Sequence, residues 1–370
     1  MKKYLIFTGI LFGLQFATAQ EYEFSPVIDL ETTPVISQGR TGTCWSFSTS
    51  SFLESEIMRE TGKQINLSEM YNVRNTYPLK ANNYVMRQGN ARFSEGGLAH
   101  DVINSVAANG LVPYNAYTGL EEGEKRYNHS EMIAVLTAML NTYVDNPAGE
   151  LSADWDDAVN AVLDVYLGEN ISEFTYQGKT YTPESFLKIT EIDPSDYVTL
   201  TSFKNHPFYS KFILSIPDNF SNGSYYNLPL DEFMATIDHA LKNGYSIALD
   251  VDVSEPTFSG KYGVAVIPRD ASENKTAMTE IVEEKKIGPE YRLEEFRNFN
   301  TTDDHLMHIT GTVKDQEGNL YYKVKNSWGT ENQAHGGYVY MSVPYMKLKA
   351  ISVLLHKDAL PEGTAEKLKL

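Results

Sequence analysis

The order of the periodic segments along the chain restricts its fold more than any other feature. Helical patterns come first: one predicted helix runs from Cys44 to Arg59, and two more begin at Ser68 and Ala99. Strand-like alternation comes last, over residues 245–253, 305–313, 320–325 and 338–343. Separation of helices from strands along a chain favours an α+β protein, so we expect a helical part and a β part that pack together.

The sequence between these two parts has a different character. Residues 154–167 have helical periodicity, but their surroundings are rich in Tyr, Asn, Ser and Gly. We interpret residues 119–228 as an inserted or elaborated region of short helices and long loops. The predicted organisation is a helical lobe over residues 20–118, this region, and a β lobe over residues 229–370. Within the β lobe, the alternation over residues 245–253 predicts a half-buried strand.

The first 20 residues, MKKYLIFTGILFGLQFATAQ, have the layout of an export signal. Two lysines precede an apolar stretch from Tyr4 to Phe16, and the small residues that follow indicate cleavage after Ala19. We therefore predict that residues 1–19 are a signal peptide and that the protein is exported to the periplasm or the extracellular space. No segment is long and apolar enough to span a bilayer, so we expect no stable membrane association.

The formal net charge of −18 restricts the partners of the chain. A surface this acidic repels phosphate backbones and anionic lipids, which argues against nucleic acid as a partner. The sequence has no Walker loop, dinucleotide fingerprint or zinc-ligand spacing, so we expect neither an organic cofactor nor a metal ion.

Cys44 is the single cysteine, which excludes disulfides within the chain. A lone cysteine is commonly a small buried apolar residue, and only its surroundings can indicate a reactive thiol. Cys44 follows the flexible Gly42 and a possible capping residue, Thr43, at the predicted start of a helix. A helix N-terminus lowers the pKa of a thiol, and a neighbouring imidazolium lowers it further. The position therefore suits a nucleophile, provided that the fold supplies a base.

His305 is the histidine with the most suitable surroundings for that base. It opens the strand-like segment HLMHITG, where alternation places His305 and His308 on opposite faces. Asn326 follows 21 residues later, and its side-chain oxygen can accept a hydrogen bond from an imidazole N–H. Trp328 can shield that bond from water. We expect His308 to be a packed strand residue instead.

Together these segments resemble the active-site motifs of papain-like cysteine peptidases. QGRTGTCWSF over residues 38–47 resembles the segment of the nucleophile, and residues 67–69, LSE, resemble the motif that follows it. Residues 94–97, SEGG, are similar to the family's paired-glycine segment. DH at 304–305 and NSWG at 326–329 resemble the histidine and asparagine segments, in the family's order. The long gap between Cys44 and His305 is similar to that of the bleomycin hydrolase, or aminopeptidase C, branch.

The resemblance implies a papain-like two-lobe fold, in which a helical lobe meets an antiparallel, barrel-like β lobe, with a large and mostly helical insertion. It implies hydrolysis of peptide or protein substrates through an acyl-thioester on Cys44. As a thiolate, Cys44 would pair with a protonated His305, which would then protonate the leaving amine and activate water. Asn326 would orient His305.

The resemblance also implies four supporting residues. A side-chain N–H of Gln38 and the Cys44 backbone N–H would stabilise the oxyanion. Gly96 and Gly97 would pair with the main chain of an extended substrate, because a side chain there would block close approach. Trp328 would support the histidine–asparagine pair.

The sequence leaves three hypotheses open about how the protein acts on its substrate. In the bleomycin hydrolase branch the C-terminal tail enters the groove and binds the substrate's α-amino group, which makes those enzymes aminopeptidases. This chain ends LPEGTAEKLKL, without an extended apolar tail. Aminopeptidase action is the favoured reading, an open-groove endopeptidase or amidase is the second, and a catalytically silent peptide-binding module is the third. The sequence does not give the oligomeric state.

Overall fold

The computed structural model describes residues 21–120 and 123–370, so the predicted signal peptide over residues 1–19 lies outside the described residues. The α-helices in these ranges are α1 (Cys44–Thr61), α2 (Glu69–Met86), α3 (Ala99–Asn109), α4 (Ser130–Asp145), α5 (Trp155–Leu167), α6 (Pro183–Ile189), α7 (Leu230–Lys242), α8 (Pro289–Arg297), α9 (Val343–Lys349) and α10 (Glu362–Leu368). None of them is long and apolar enough to cross a membrane.

The strands in the same ranges are β1 (Ser25–Asp29), β2 (Phe174–Tyr176), β3 (Lys179–Tyr181), β4 (Tyr197–Thr201), β5 (Lys211–Ile213), β6 (Ser224–Asn227), β7 (Ile247–Val251), β8 (Phe258–Ser259), β9 (Val264–Ala265), β10 (His305–Lys314), β11 (Leu320–Lys325), β12 (Tyr338–Ser342) and β13 (Ala350–His356). All except the hairpin β2–β3 form one sheet in the order β5-β6-β4-β13-β7-β10-β11-β12-β9-β8, and β1 pairs with the far end of β10. The α+β class is confirmed, but the expected antiparallel sheet is mixed, because β4–β6 and β9–β12 pair in parallel.

The region predicted as a mostly helical insertion contains more strand than expected. It contributes α4, α5 and α6, but β4 pairs with the edge of β13 and brings β5 and β6 into the main sheet. The Thr201 hydroxyl also donates to the Ile351 carbonyl at 2.7 Å. Short strands of low apolar content gave no clear alternation, so their pairing with a distant strand was not visible in the sequence.

Helix α1 is buried along most of its length between the other helices and β10. Its serines lie on one stripe and hydrogen-bond what they pack against: Ser48 donates to the Met307 carbonyl at 2.6 Å, and Ser51 lies 3.0 Å from His308 Nδ1. Small residues on a stripe let a helix approach its neighbour closely. The helix ends at Gly62, which adopts the left-handed conformation that glycine tolerates best. This packing fixes the start of α1 against the start of β10.

Strand β7 was expected to be half-buried and is instead buried along its whole length. Ala248 belongs to the same apolar cluster as α1 to α6. Ile247, Leu249 and Val251 belong to a second cluster with α7 and α9 on the opposite face. The expectation was wrong because helices cover both faces of the sheet here.

The C-terminal residues pack on the second cluster, on the face of the sheet opposite to Cys44. Thr364 donates to Glu232 of α7 at 2.8 Å, and Lys367 lies 3.1 Å from the same carboxylate. Leu368 is buried in that cluster. Residues 362–370 therefore do not fill the position that a tail would occupy beside the nucleophile.

Candidate active site

Cys44 is the first residue of α1 and its side chain is almost fully buried, with 8% of the residue exposed. Burial, together with the charges of Asp218 and Asp303, raises the pKa of the thiol to about 12. Hydrogen bonds from the backbone of Leu306 and Trp45 oppose that rise. Because Leu306 directly follows His305, the thiol lies beside the start of β10.

The turn before Cys44 is held by the loop that contains Glu95 rather than by a helix cap. Thr43 occupies the N-cap position without capping α1, because its hydroxyl pairs with the Thr41 hydroxyl at 2.6 Å. The Glu95 carboxylate accepts from the Gly42 backbone N–H, and the Glu95 carbonyl accepts from Trp45 Nε1 at 2.9 Å. Cys44 is thus positioned by contacts of the residues on both sides of it.

His305 is buried at the start of β10, and its Nε2 lies 2.9 Å from Asn326 Oδ1. The same Oδ1 accepts the Ser327 backbone N–H at 2.8 Å, which fixes it as the acceptor of the pair. A proton on Nε2 leaves the lone pair of Nδ1 free to take a proton from a thiol. The centroid of the Trp328 ring lies 4.9 Å from that of the imidazole, and Trp328 is 39% exposed while His305 is buried.

The surroundings of the two reacting groups favour neutral forms. Burial lowers the pKa of His305 to about 4, although the hydrogen bond to Asn326 acts in the other direction. Burial acts on the Cys44 thiol in the opposite sense and also favours its neutral form. The thiolate–imidazolium pair implied by the resemblance must therefore be stabilised by the attraction between the two groups themselves. The second histidine, His308, has a separate partner in Ser51.

Gln38 is buried and its amide is oriented at both ends. Its Nε2 donates to the Thr41 carbonyl at 2.6 Å, and its Oε1 accepts from the Ser327 hydroxyl at 2.6 Å. A primary amide has two N–H donors, so this orientation leaves one of them for a ligand. Because Ser327 contacts both Gln38 and Asn326, a single residue links the two amides of the site.

Gly96 and Gly97 lie in the loop before α3, and other side chains pack closely against both. A Cβ added to Gly97 would lie 3.0 Å from the Trp45 ring, and one added to Gly96 would lie 2.0 Å from Asp218 Oδ2. The Gly96 carbonyl accepts from Lys80 Nζ. Close packing therefore restricts both positions, through the Trp45 ring at Gly97 and through the end of the Asp218 side chain at Gly96.

Sequence reasoning missed three residues of this arrangement. Ser327 lies inside the NSWG segment at residues 326–329, where its hydroxyl is a possible partner for Gln38. Asp218 and Asp303 come from loops, and no spacing or periodicity relates them to Cys44. In the described ranges 21–120 and 123–370, no group of three or more His, Cys, Asp or Glu residues is arranged to hold a metal ion.

Known proteins are similar to this chain in both sequence and fold. The sequence profile described as "Peptidase C1-like family" matches residues 91–370. Aminopeptidase G of Lactobacillus delbrueckii subsp. lactis is 23% identical over 383 residues, which cover 92% of this chain and 84% of that protein. Cysteine proteinase 1, mitochondrial, of Saccharomyces cerevisiae is 22% identical over 401 residues, covering 93% and 79% respectively. The fold is similar to the crystal structure of PepW from Lactobacillus rhamnosis HN001, with a TM-score of 0.73 at 18% identity over 93% of this chain and 84% of that one.

Proposed function

Since this chain belongs to the Peptidase C1-like family and is a cysteine-type peptidase, we propose that it is an exported aminopeptidase that acts through Cys44. Aminopeptidase G, which is similar over 92% of this chain, supports the proposal. The chemistry follows from the neutral pair at the site. His305 Nδ1 takes the thiol proton as Sγ attacks the carbonyl carbon, and the resulting imidazolium protonates the leaving amine.

Two donors would stabilise the oxyanion that forms during attack. They are the free N–H of the Gln38 amide and the backbone N–H at the start of α1, where the helix dipole also favours negative charge. Loss of one such donor typically costs about 3 kcal/mol of transition-state stabilisation. After the amine leaves, His305 would activate water for attack on the thioester. Asn326 keeps the ring in the required tautomer throughout.

We extend the proposal to the two-lobe architecture. The two apolar clusters would be the cores of the two lobes, and the groove would run where the start of α1 meets the start of β10. The leaving part of the substrate would lie towards His305 and Trp328, because the imidazole must reach the amine. The acyl part would then lie towards Gly96 and Gly97.

One observation carries the aminopeptidase proposal: the Asp218 carboxylate lies against Gly96, with Oδ2 2.0 Å from the position of an added Cβ, where the acyl part of the substrate would lie. An extended chain cannot continue past a carboxylate in that position, so the acyl part of the substrate must end there. This supports the aminopeptidase hypothesis that the sequence favoured over the alternative of an open-groove endopeptidase. It also supplies an obstacle that residues 362–370 do not supply.

The test compares two fluorogenic substrates that differ in the amino group alone, alanyl-7-amido-4-methylcoumarin and its N-acetyl derivative. We expect the free amine to be hydrolysed with a kcat/KM at least about 100-fold higher, the discrimination that an unpaired buried polar group produces. Cys44→Ala should abolish both activities. Equal rates on the two substrates would point to an endopeptidase or amidase instead.

Export is tested on the full chain by expression in a bacterium with an intact secretion system. We expect the mature protein outside the cytoplasm with Gln20 as its first residue, as read by mass spectrometry of the intact protein. An uncleaved N-terminus in the cytoplasm would contradict this part of the proposal.

A further inference from the structure

The loop between β5 and β6 closes one end of the groove, and Asp218 is the residue that reaches across it. Its Oδ1 accepts from the Ser94 hydroxyl at 3.3 Å on the wall that carries Gly96. Its backbone hydrogen-bonds the Asp303 carboxylate, two residues before His305, on the other wall. A single residue therefore joins both sides of the groove next to the reacting groups.

The base of this loop is firmly held. Asn219 is buried, and its Nδ2 donates to the carbonyls of Leu214 and Gly223, each at 2.9 Å. The Ser221 hydroxyl donates to Asp101 Oδ1 at 2.7 Å on α3. Because the loop is fixed on both sides of Asp218, its carboxylate is placed in advance, which lowers the entropy lost when a ligand binds.

Several acidic side chains are buried near Asp218, and two buried cations, Lys80 and Arg292, interact with their charges. Burial raises the pKa of both Asp303 and Asp250, and the charges of neighbouring acids raise both further. Asp303 Oδ2 and Asp250 Oδ1 are buried without a hydrogen-bond partner in the described ranges. The nearby cations are weak partners. Lys80 Nζ is bound to the Gly96 carbonyl, and Arg92 is largely exposed at 3.9 Å from Asp218.

This charge lies next to the nucleophile. Asp218 and Asp303 are the two carboxylates whose charges act on the Cys44 thiol. The segment that carries Gly96 and Gly97 also lies close to Cys44, because Gly97 packs on the ring of Trp45, the residue that directly follows Cys44. A small cation held by the two carboxylates would therefore lie beside the sulfur, on the acyl side of the scissile bond.

We propose that Asp218 and Asp303 together bind the α-ammonium group of the substrate and so place its N-terminal residue over Cys44. The inference rests on the aminopeptidase function proposed above and names the residues that impose it. An ammonium group carries three N–H donors, which suits two converging carboxylates in a site from which water is excluded. An acylated amine carries no positive charge, and its acyl group would extend into the position of the carboxylates.

A second consequence follows from the same placement. The two carboxylates disfavour the thiolate in the empty site, and a bound ammonium would cancel their charge. Binding of a free N-terminus would thus favour ionisation of Cys44 at the moment when attack is required. A peptide without a free amine would leave the thiol neutral.

The test measures kcat/KM of Asp218→Asn on the free-amine and N-acetyl substrates, with the wild type in parallel. Loss of one charge-assisted hydrogen bond should lower the preference for the free amine about 10- to 100-fold, mainly through a higher KM. Asp303→Asn should act in the same direction. Asp231→Asn is the matched control, because Asp231 is 90% exposed on α7, on the opposite face of the sheet.

The outcomes separate this inference from the proposed function. If the wild type shows no preference for the free amine, the aminopeptidase function itself is wrong. If the wild type shows the preference and Asp218→Asn keeps it in full, the function stands and the assignment to Asp218 is overturned. Should Asp218→Asn fail to fold, Asp303→Asn on the same two substrates decides: a reduced preference for the free amine supports the inference, and an unchanged preference overturns it.

Discussion

The two ends of the proposed groove differ in charge: one is lined by neutral groups and the other by acidic groups. At the end that holds Gln38, Asn326 and Trp328, the contacting groups are uncharged and hydrogen-bonded to one another. At the end that holds Asp218 and Asp303, acidic side chains lie close together, and the buried ammonium of Lys80 is bound to the Gly96 carbonyl. The first end is complete without substrate, whereas at the second the buried Asp303 Oδ2 has no hydrogen-bond partner in the described ranges.

This difference separates catalysis from recognition. A satisfied network of neutral groups orients His305 at little cost in stability, because no charge has been removed from water without a partner. Buried acids without cations destabilise the folded state and are retained where a ligand completes them. We therefore expect variants of the neutral end to lower kcat, and variants of the acidic end to raise KM and to increase stability.

The largest effect should come from His305→Ala. Without a base for the thiol and an acid for the leaving amine, kcat should fall by at least about 10⁴-fold, the loss typical of removing a member of a catalytic set. KM should change little, because His305 does not contact the acidic end. Steady-state hydrolysis of alanyl-7-amido-4-methylcoumarin measures both constants.

His206→Ala is the matched control for that variant, since His206 stacks on Phe212 at the edge of the sheet. It should keep wild-type kcat. If His305→Ala retained more than a tenth of the activity, the neutral end would not be the catalytic end and the comparison would fail.

Gln38→Ala should give the next largest effect, a fall in kcat of about 100-fold from the loss of one oxyanion donor. Ser327→Ala should lower kcat less, by about 10-fold, because the lost hydroxyl only orients the Gln38 amide, while the backbone N–H that binds Asn326 remains. Ser327→Thr keeps the hydroxyl and should restore most of the activity. Equal losses for the alanine and threonine variants would show that the hydroxyl has no positioning role.

The neutral end was also the end that the sequence could reveal. Cys44 starts a helix and His305 starts a strand, and each belongs to a short local motif whose spacing can be read directly. Asp218 gives no such signal. It lies in the loop between two short strands, and its place in front of Gly96 depends on parallel pairing of β6 with β4, far from either residue in sequence. Long-range pairing of short strands is set by packing, which periodicity does not report.

Asp303→Asn should increase stability, the reverse of what loss of a favourable contact would produce. The pKa of Asp303 is raised to about 7, so the folded state binds this proton more tightly than the unfolded state does. The free energy of unfolding therefore decreases as pH rises from about 4 to 7, and the variant removes this decrease. At pH 8 we expect it to be more stable than the wild type by about 1 kcal/mol.

Urea unfolding at pH 5 and pH 8 checks this prediction. The stability gain of Asp303→Asn should be larger at pH 8, while Asp231→Asn on the exposed surface should change stability equally at the two values. A loss of stability at pH 8 would mean that Asp303 makes a favourable contact in the empty site, and the contrast between the two ends would disappear.

The smallest effect should come from Trp328→Ala, and its direction is the sharpest test of the neutral end. The ring shields the pair of His305 and Asn326, so its removal admits water and lowers kcat about 3- to 10-fold, within the range for one weakened hydrogen bond. Water also relieves the burial that lowers the pKa of His305 to about 4, so this pKa should rise towards 6.5. Because His305 must be neutral to accept the thiol proton, the acid limb of the kcat–pH profile should move to higher pH. Trp328→Phe keeps an aromatic cover and should leave that limb close to its wild-type position, whereas an alanine variant with an unmoved limb would show that burial by Trp328 does not control the base.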